Sequence, residues 1–155
     1  MNIDPFTKFH KDWALLTAGG PERYNSMTIS WGSMGTVWSK PVVTVYVRPD
    51  RYTWQFLKDS DCFTVSFYPK ACRQALSVMG ALSGRDGDKV AAAGLTPRFL
   101  PQGITFWEAA ETFVCKKIYM APMAYADVPA EAQRIYQNGI EPHYIIMGEV
   151  LEYLA

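Results

Sequence analysis

Asn25-Ser26-Met27-Thr28-Ile29-Ser30-Trp31-Gly32-Ser33-Met34-Gly35 alternates small hydroxyl residues with large apolar ones and then breaks into glycine. Successive side chains on a strand point to opposite faces, so Ser26, Thr28 and Ser30 share one face and Met27, Ile29 and Trp31 the other. Two readings fit this stretch. It is the wall of a pocket for a flat ligand with polar edges, or it is an ordinary barrel strand. The segments around it decide between them.

Upstream, Trp13 to Thr17 reads as a short strand closed by Ala18-Gly19-Gly20-Pro21, which makes a hairpin with the opening stretch. Downstream, Thr36 to Pro41 reads as a loop with Trp38 as packing. Val42 to Val47 is β-branched on both faces, the pattern of a central strand. Thr53 is placed to cap a helix from Trp54 to about Lys58. In Cys62–Tyr68, alternation puts Phe63, Val65 and Phe67 inward and Thr64 and Ser66 outward. Ala75, Val78, Met79 and Leu82 recur at helical spacing within Ala71–Leu82, and a short helix from Lys89 to Ala93 stops at Gly94. Strands follow at 98–100, 104–108 and 111–120, then a helix start at Asp127–Ala130 with Gly139 as its stop, and a last strand from His143 to Tyr153. Many short strands with few short helices predict a mainly β protein, a closed antiparallel barrel with helical insertions.

The 155 residues fit a single domain, 1–155, and 14% are aromatic, which suits a well-packed core. Fifteen basic residues balance fifteen acidic ones, so nothing advertises nucleic acid or an anionic membrane. Cys62, Cys72 and Cys115 are an odd set without CxxC spacing, which argues against a disulfide framework and a zinc site. No basic or apolar leader and no membrane-length apolar run is present, so a soluble, cytoplasmic protein is the expectation.

Walker, Rossmann, nucleophile-elbow and zincin motifs are absent, and His10 and His143 are the only histidines. No metal site is expected. What remains is cationic and hydroxyl groups on loops: Arg48, Arg51, Tyr52 and Thr53 beside a helix start, and Ser83, Gly84, Arg85 and Lys89. Such groups bind a phosphate through charge-assisted hydrogen bonds, or they are solvated loop charges, with Arg51 paired locally to Asp50.

Four motifs occur in order: Asn25 to Gly32; Val47-Arg48-Pro49-Asp50-Arg51-Tyr52-Thr53; Ser83-Gly84-Arg85-Asp86-Gly87-Asp88-Lys89 with Ala93-Gly94-Leu95-Thr96-Pro97; and His143-Tyr144-Ile145-Ile146-Met147-Gly148-Glu149-Val150. With them the chain, from about Trp13 to Val150, resembles the flavin reductase-like family with the FMN-binding split-barrel fold, a Greek-key-like antiparallel barrel, and within it the flavoredoxin-like branch. The resemblance implies a homodimer that binds FMN non-covalently near the subunit interface. It implies that Asn25, Ser26, Met27, Thr28, Ser30 and Trp31 line the ring and ribityl chain, largely through backbone groups. Arg48, Arg51, Tyr52 and Thr53 match the phosphate-end segment, and Ser83, Gly84 and Lys89 match a segment that closes over the cofactor. His143 matches a histidine near the flavin or nicotinamide, a catalytic candidate whose bland alternative is a structural histidine. Three modes of action are compatible with it: NAD(P)H-dependent reduction of flavin or another acceptor, electron transfer with a redox partner protein, and a non-catalytic flavin carrier or sensor.

Overall fold

A computed structural model describes residues 3–155. A short α1 (Pro5–Thr7) continues into a wider turn, Lys8–Asp12, and leads to β1 (Ala14–Gly20), β2 (Arg23–Ile29), β3 (Gly32–Val37) and β4 (Lys40–Val47). Then come α2 (Thr53–Asp59), β5 (Cys62–Phe67), α3 (Arg73–Ala81) and α4 (Lys89–Ala93). The chain finishes with β6 (Pro97–Leu100), β7 (Gly103–Phe106), β8 (Glu111–Pro122), α5 (Ala130–Gln133) and β9 (Tyr144–Leu154).

Seven strands form one antiparallel sheet in the order β2-β1-β5-β8-β9-β4-β3. Strand β5 returns beside β1 and β9 lies beside β4, which gives the Greek-key-like crossovers. The two ends of the sheet, β2 and β3, are consecutive in sequence, and no ladder joins them. The barrel is therefore split there rather than closed, and Ser30-Trp31 bridges the split. The opening stretch is not one strand but the end of one edge, a break, and the start of the other.

Inside the barrel, Leu16, Ile29, Val43, Val45, Phe63, Val65, Phe67, Phe113 and Ile146 pack as one buried cluster. Strand β4 is buried on both faces over Val42–Val45, as its β-branched composition predicts. Outside the sheet, Leu15, Leu76, Met79, Leu95 and Phe106 form a second cluster beneath α3, α4 and β7.

Several local expectations change. β1 runs on through Gly19-Gly20, where Gly19 has φ 114 and a Cβ would meet the Arg23 carbonyl oxygen at 2.5 Å. Residues 36–41 are not a loop but a tight β3–β4 hairpin with Trp38 and Ser39 at positive φ, and Pro41 sits inside β4 opposite Thr36. Pro41 is tolerated because pairing of β4 to β9 begins only at Val42. Trp38 is 63% exposed on this hairpin, so it is not packed into the barrel rim. Thr64 and Ser66 do face away from the barrel, yet both are fully buried because the β6–β7 hairpin covers them. Their hydroxyls are satisfied there: Thr64 donates to the Ile104 carbonyl, and Ser66 lies 2.8 Å from Thr105 and 3.0 Å from Thr112. In α3 the buried positions are Leu76 and Met79, and Leu82 lies exposed beyond the helix end. α4 matches its prediction, with Asp88 accepting from the Ala91 amide and Gly94 left-handed at φ 70.

Candidate functional site

Adjacent residues Met27 and Thr28 belong to opposite faces of β2, yet both border the same two cavities, of about 220 and 240 Å³. A groove reached by neighbours of opposite parity runs along the edge of a strand, not across one face. β2 is an edge strand, so backbone groups on its outer side have no strand partner and are free for a ligand. Arg51 also borders both cavities, which makes them one groove.

The hydroxyl face of β2 is engaged within the fold. Ser26 is buried with its hydroxyl 2.8 Å from that of Thr17, and it borders a neighbouring hollow rather than the groove. The Thr28 hydroxyl donates to the Leu76 carbonyl at 2.6 Å and so pins α3 to β2. The stretch that suggested a hydroxyl-lined pocket thus supplies the groove with an edge and with Met27, Ser30 and Trp31.

One end of the groove is cationic. It is bordered by Arg51, Arg85 and Lys89, together with Asn25, Tyr52, Thr53, Ser83 and Gly84. Thr53 is the first residue of α2 rather than its cap, and its buried hydroxyl accepts from the Asn25 side-chain amide at 2.8 Å. Gly84 presses on Asn25 and Tyr52: a Cβ there would collide with Asn25 Oδ1 and stand 3.0 Å from Tyr52 Cδ1. Tyr52 is held edge-on to Phe56 at 5.1 Å, and the Arg85 guanidinium lies 5.0 Å from the centre of its ring. Ser83 Oγ accepts from the Arg85 amide at 3.2 Å, which shapes the turn.

Lys89 is 5% exposed, and its Nζ donates to the carbonyls of Met79 at 3.1 Å and Leu82 at 3.4 Å. It caps the C-terminal end of α3, a role its place at the start of α4 did not announce. An ammonium has three protons, so one remains for the groove that Lys89 borders. Burial, with Arg51 nearby, pushes the Lys89 ammonium down to about 8. The predicted Arg51–Asp50 pair does not form. Asp50 takes Arg48 at 3.0 Å, its carbonyl accepts from Arg85 at 3.3 Å, and Arg51 makes no side-chain hydrogen bond or ion pair among the described residues.

The other end is aromatic. Trp31 stacks obliquely on His143 with ring centres 4.9 Å apart, and Arg48, Tyr46 and Ile135 complete the walls. His143 precedes β9, and its Nδ1 lies 2.7 Å from the hydroxyl of buried Tyr136. Burial, then the Arg48 and Arg51 cations, push the imidazole down to about 4, so it is neutral near pH 7. Beyond Trp31 opens an apolar cleft of about 580 Å³ bordered by Phe6, Phe9, Met34, Tyr46 and Met123. Arg85 was named only among the loop cations suited to a phosphate, and Tyr46, Ile135 and Tyr136 were not singled out at all. Arg85 was legible from its place between Gly84 and Lys89; the others carry no local signal. No cluster of three metal-ligating side chains occurs among the described residues.

The split barrel carries a groove along its open edge, cationic at one end and aromatic at the other, and its shape and charge suit an elongated anionic ligand with a flat head. The chain belongs to the flavin reductase like domain family, whose profile matches residues 6–154. It is therefore a flavin-related oxidoreductase of the flavin reductase-like type. Solved structures share the fold. A flavoredoxin from Methanosarcina acetivorans superposes with a TM-score of 0.75 at 17% identity, over 100% of this chain and 73% of that one. An FMN-binding protein from Thermus thermophilus with bound 1-cyclohex-2-enone gives 0.73 at 19% identity over 99% and 78%. Flavoredoxin of Desulfovibrio vulgaris (Miyazaki F) gives 0.72 at 19% identity over 99% and 71%. No curated protein matches the sequence significantly. No helix among the described residues is long and apolar enough to cross a membrane.

Proposed function

We propose that the groove binds FMN non-covalently and that the protein is an FMN-dependent oxidoreductase taking reducing equivalents from NAD(P)H. The observation that carries this is the continuity of the groove from the Arg51–Arg85–Lys89 end to the Trp31–His143 end along the unpaired edge of β2. The residues suit the group. Cations without a carboxylate partner await a phosphate, edge amides suit ring carbonyls and nitrogens, and Trp31 offers a flat wall. The similarity in fold to an FMN-binding protein and to flavoredoxins supports the same cofactor.

FMN supplies the hydride and electron chemistry when bound, so the chain needs no nucleophile of its own. Arg51, Arg85 and the free Lys89 proton hold the phosphate. Arg48, kept in place by Asp50, contributes positive charge beside the ring end, which favours electron-rich states of a bound ligand. His143 presents a neutral polar group there.

The apolar cleft beyond Trp31, with Phe6 89% exposed at its rim, supports a homodimer that places the ring end near the interface. Mixing FMN-loaded protein anaerobically with NADH or NADPH tests the function. Loss of flavin absorbance on a turnover timescale is expected. No bleaching with either donor, but reduction by a protein reductant, would replace this reading with the electron-transfer one.

A further inference from the structure

The segment between β8 and β9 has one buried aromatic, Tyr136, at 8% exposure in a short 3-10 turn, Arg134–Tyr136. The left-handed pair Asn138 and Gly139 then reverses the chain towards His143. Tyr136 meets His143 twice: ring edge to ring face at 5.6 Å and 69°, and hydroxyl to Nδ1 at 2.7 Å. Trp31 also lies against the imidazole, with ring centres 4.9 Å apart and planes tilted by 44°, and the His143 carbonyl accepts from the Met123 amide at 3.0 Å. The ring is thus held by two aromatic side chains and by its backbone.

We propose that Tyr136 is a positioning residue: its hydroxyl donates to Nδ1 of His143, holds the imidazole in the Nε2–H tautomer, and so presents a neutral N–H donor to an acceptor atom of a ligand at the aromatic end of the groove. A neutral imidazole carries one proton on one nitrogen, and the partner of the other nitrogen selects which. A tyrosine hydroxyl has one proton to give. Giving it to Nδ1 leaves Nε2 as the protonated nitrogen, on the ring edge away from Tyr136. The neighbouring charges are consistent with a neutral ring. Arg48 and Arg51 disfavour an imidazolium, and Asp50, which alone favours it, is paired to Arg48. The acceptor class is a carbonyl oxygen or unprotonated ring nitrogen, on a flavin or on a carbonyl-bearing second substrate. That the donor serves a flavin rests on the function proposed above; the tautomer is a property of the protein alone.

Long-range proton–nitrogen NMR on ¹⁵N-histidine-labelled protein without added flavin reads the tautomer directly. His10 and His143 are the only two signals, so assignment needs one substitution, His10→Gln. In the wild type, His143 Nδ1 is expected to resonate as an unprotonated acceptor and Nε2 as protonated at neutral pH. In Tyr136→Phe, which keeps the ring and its packing, the pattern is expected to shift to a mixture of tautomers. Protonated Nδ1 in the wild type, or an unchanged pattern in the variant, overturns the proposal. If the tautomer responds as expected but FMN does not bind, the positioning role stands and the cofactor assignment falls.

Discussion

If Lys89 contacts the phosphate, FMN binding must be linked to its protonation. In the free protein burial and Arg51 hold this ammonium down at about 8, from an ordinary 10.5. A phosphate dianion placed beside it favours the charged form, so the complex has the higher pKa. The sign follows. Between the two pKa values the complex binds more protons than the free protein, so the Lys89 contribution to affinity is constant below about pH 8 and is lost as pH rises through it. If the anion restores an ordinary lysine pKa, the dissociation constant rises about 30-fold between roughly pH 7 and 9.5; a weaker contact gives a smaller rise. Titrating the wild type by flavin fluorescence across that range measures the slope. Lys89→Met should bind more weakly at pH 7 and lose the dependence. That variant also strips donors from the Met79 and Leu82 carbonyls, at a cost of about 1–3 kcal/mol, so its fold is checked first by thermal melting. A flat wild-type profile, or the same slope in Lys89→Met, would show that Lys89 caps α3 and does nothing for the ligand.

Arg51→Ala is expected to weaken FMN by about ten- to a hundredfold, the loss of one charge-assisted contact of roughly 1.5–3 kcal/mol. Its melting temperature should not change, because the exposed side chain has no partner among the described residues. Gly84→Ala drives a methyl group into Asn25 Oδ1 and Tyr52, and should lower stability by about 1–3 kcal/mol in urea titration; an unchanged midpoint would mean the loop sits further from Asn25. Cys115 is buried and its thiol is pushed up to about 12 by burial, so at most two of the three cysteines should react with a disulfide reagent at pH 8 before unfolding. Early reaction of all three would contradict the barrel packing around Cys115.

Much of the fold was legible because it rests on near neighbours in sequence. Alternation marked β5, β-branched composition marked β4, and Gly94 marked the end of α4. The errors share a cause. Ser66 and Thr64 look solvent-facing until the β6–β7 hairpin, about forty residues on, covers them. Residues 36–41 look like a loop because the pairing of Pro41 to one neighbour only is invisible locally. In the site, the groups were found but their roles moved. Thr53 proved the acceptor for Asn25, Lys89 the cap of α3, and Ser26 a partner for Thr17.

The sequence by itself determined that Asn25–Gly35 matters, that cations gather at residues 48–51 and 85–89, and that the family is flavin reductase-like, because motif order and side-chain chemistry are properties of the chain. Only the tertiary structure decided where the groove runs. Edge strands, and the unpaired amides they offer, exist only once strand order is set, and here that order leaves β2 and β3 unjoined at Ser30-Trp31. The contacts that shape the groove's two ends, Asn25 with Thr53 and Trp31 with His143, likewise join residues far apart in the chain, which no local pattern can specify.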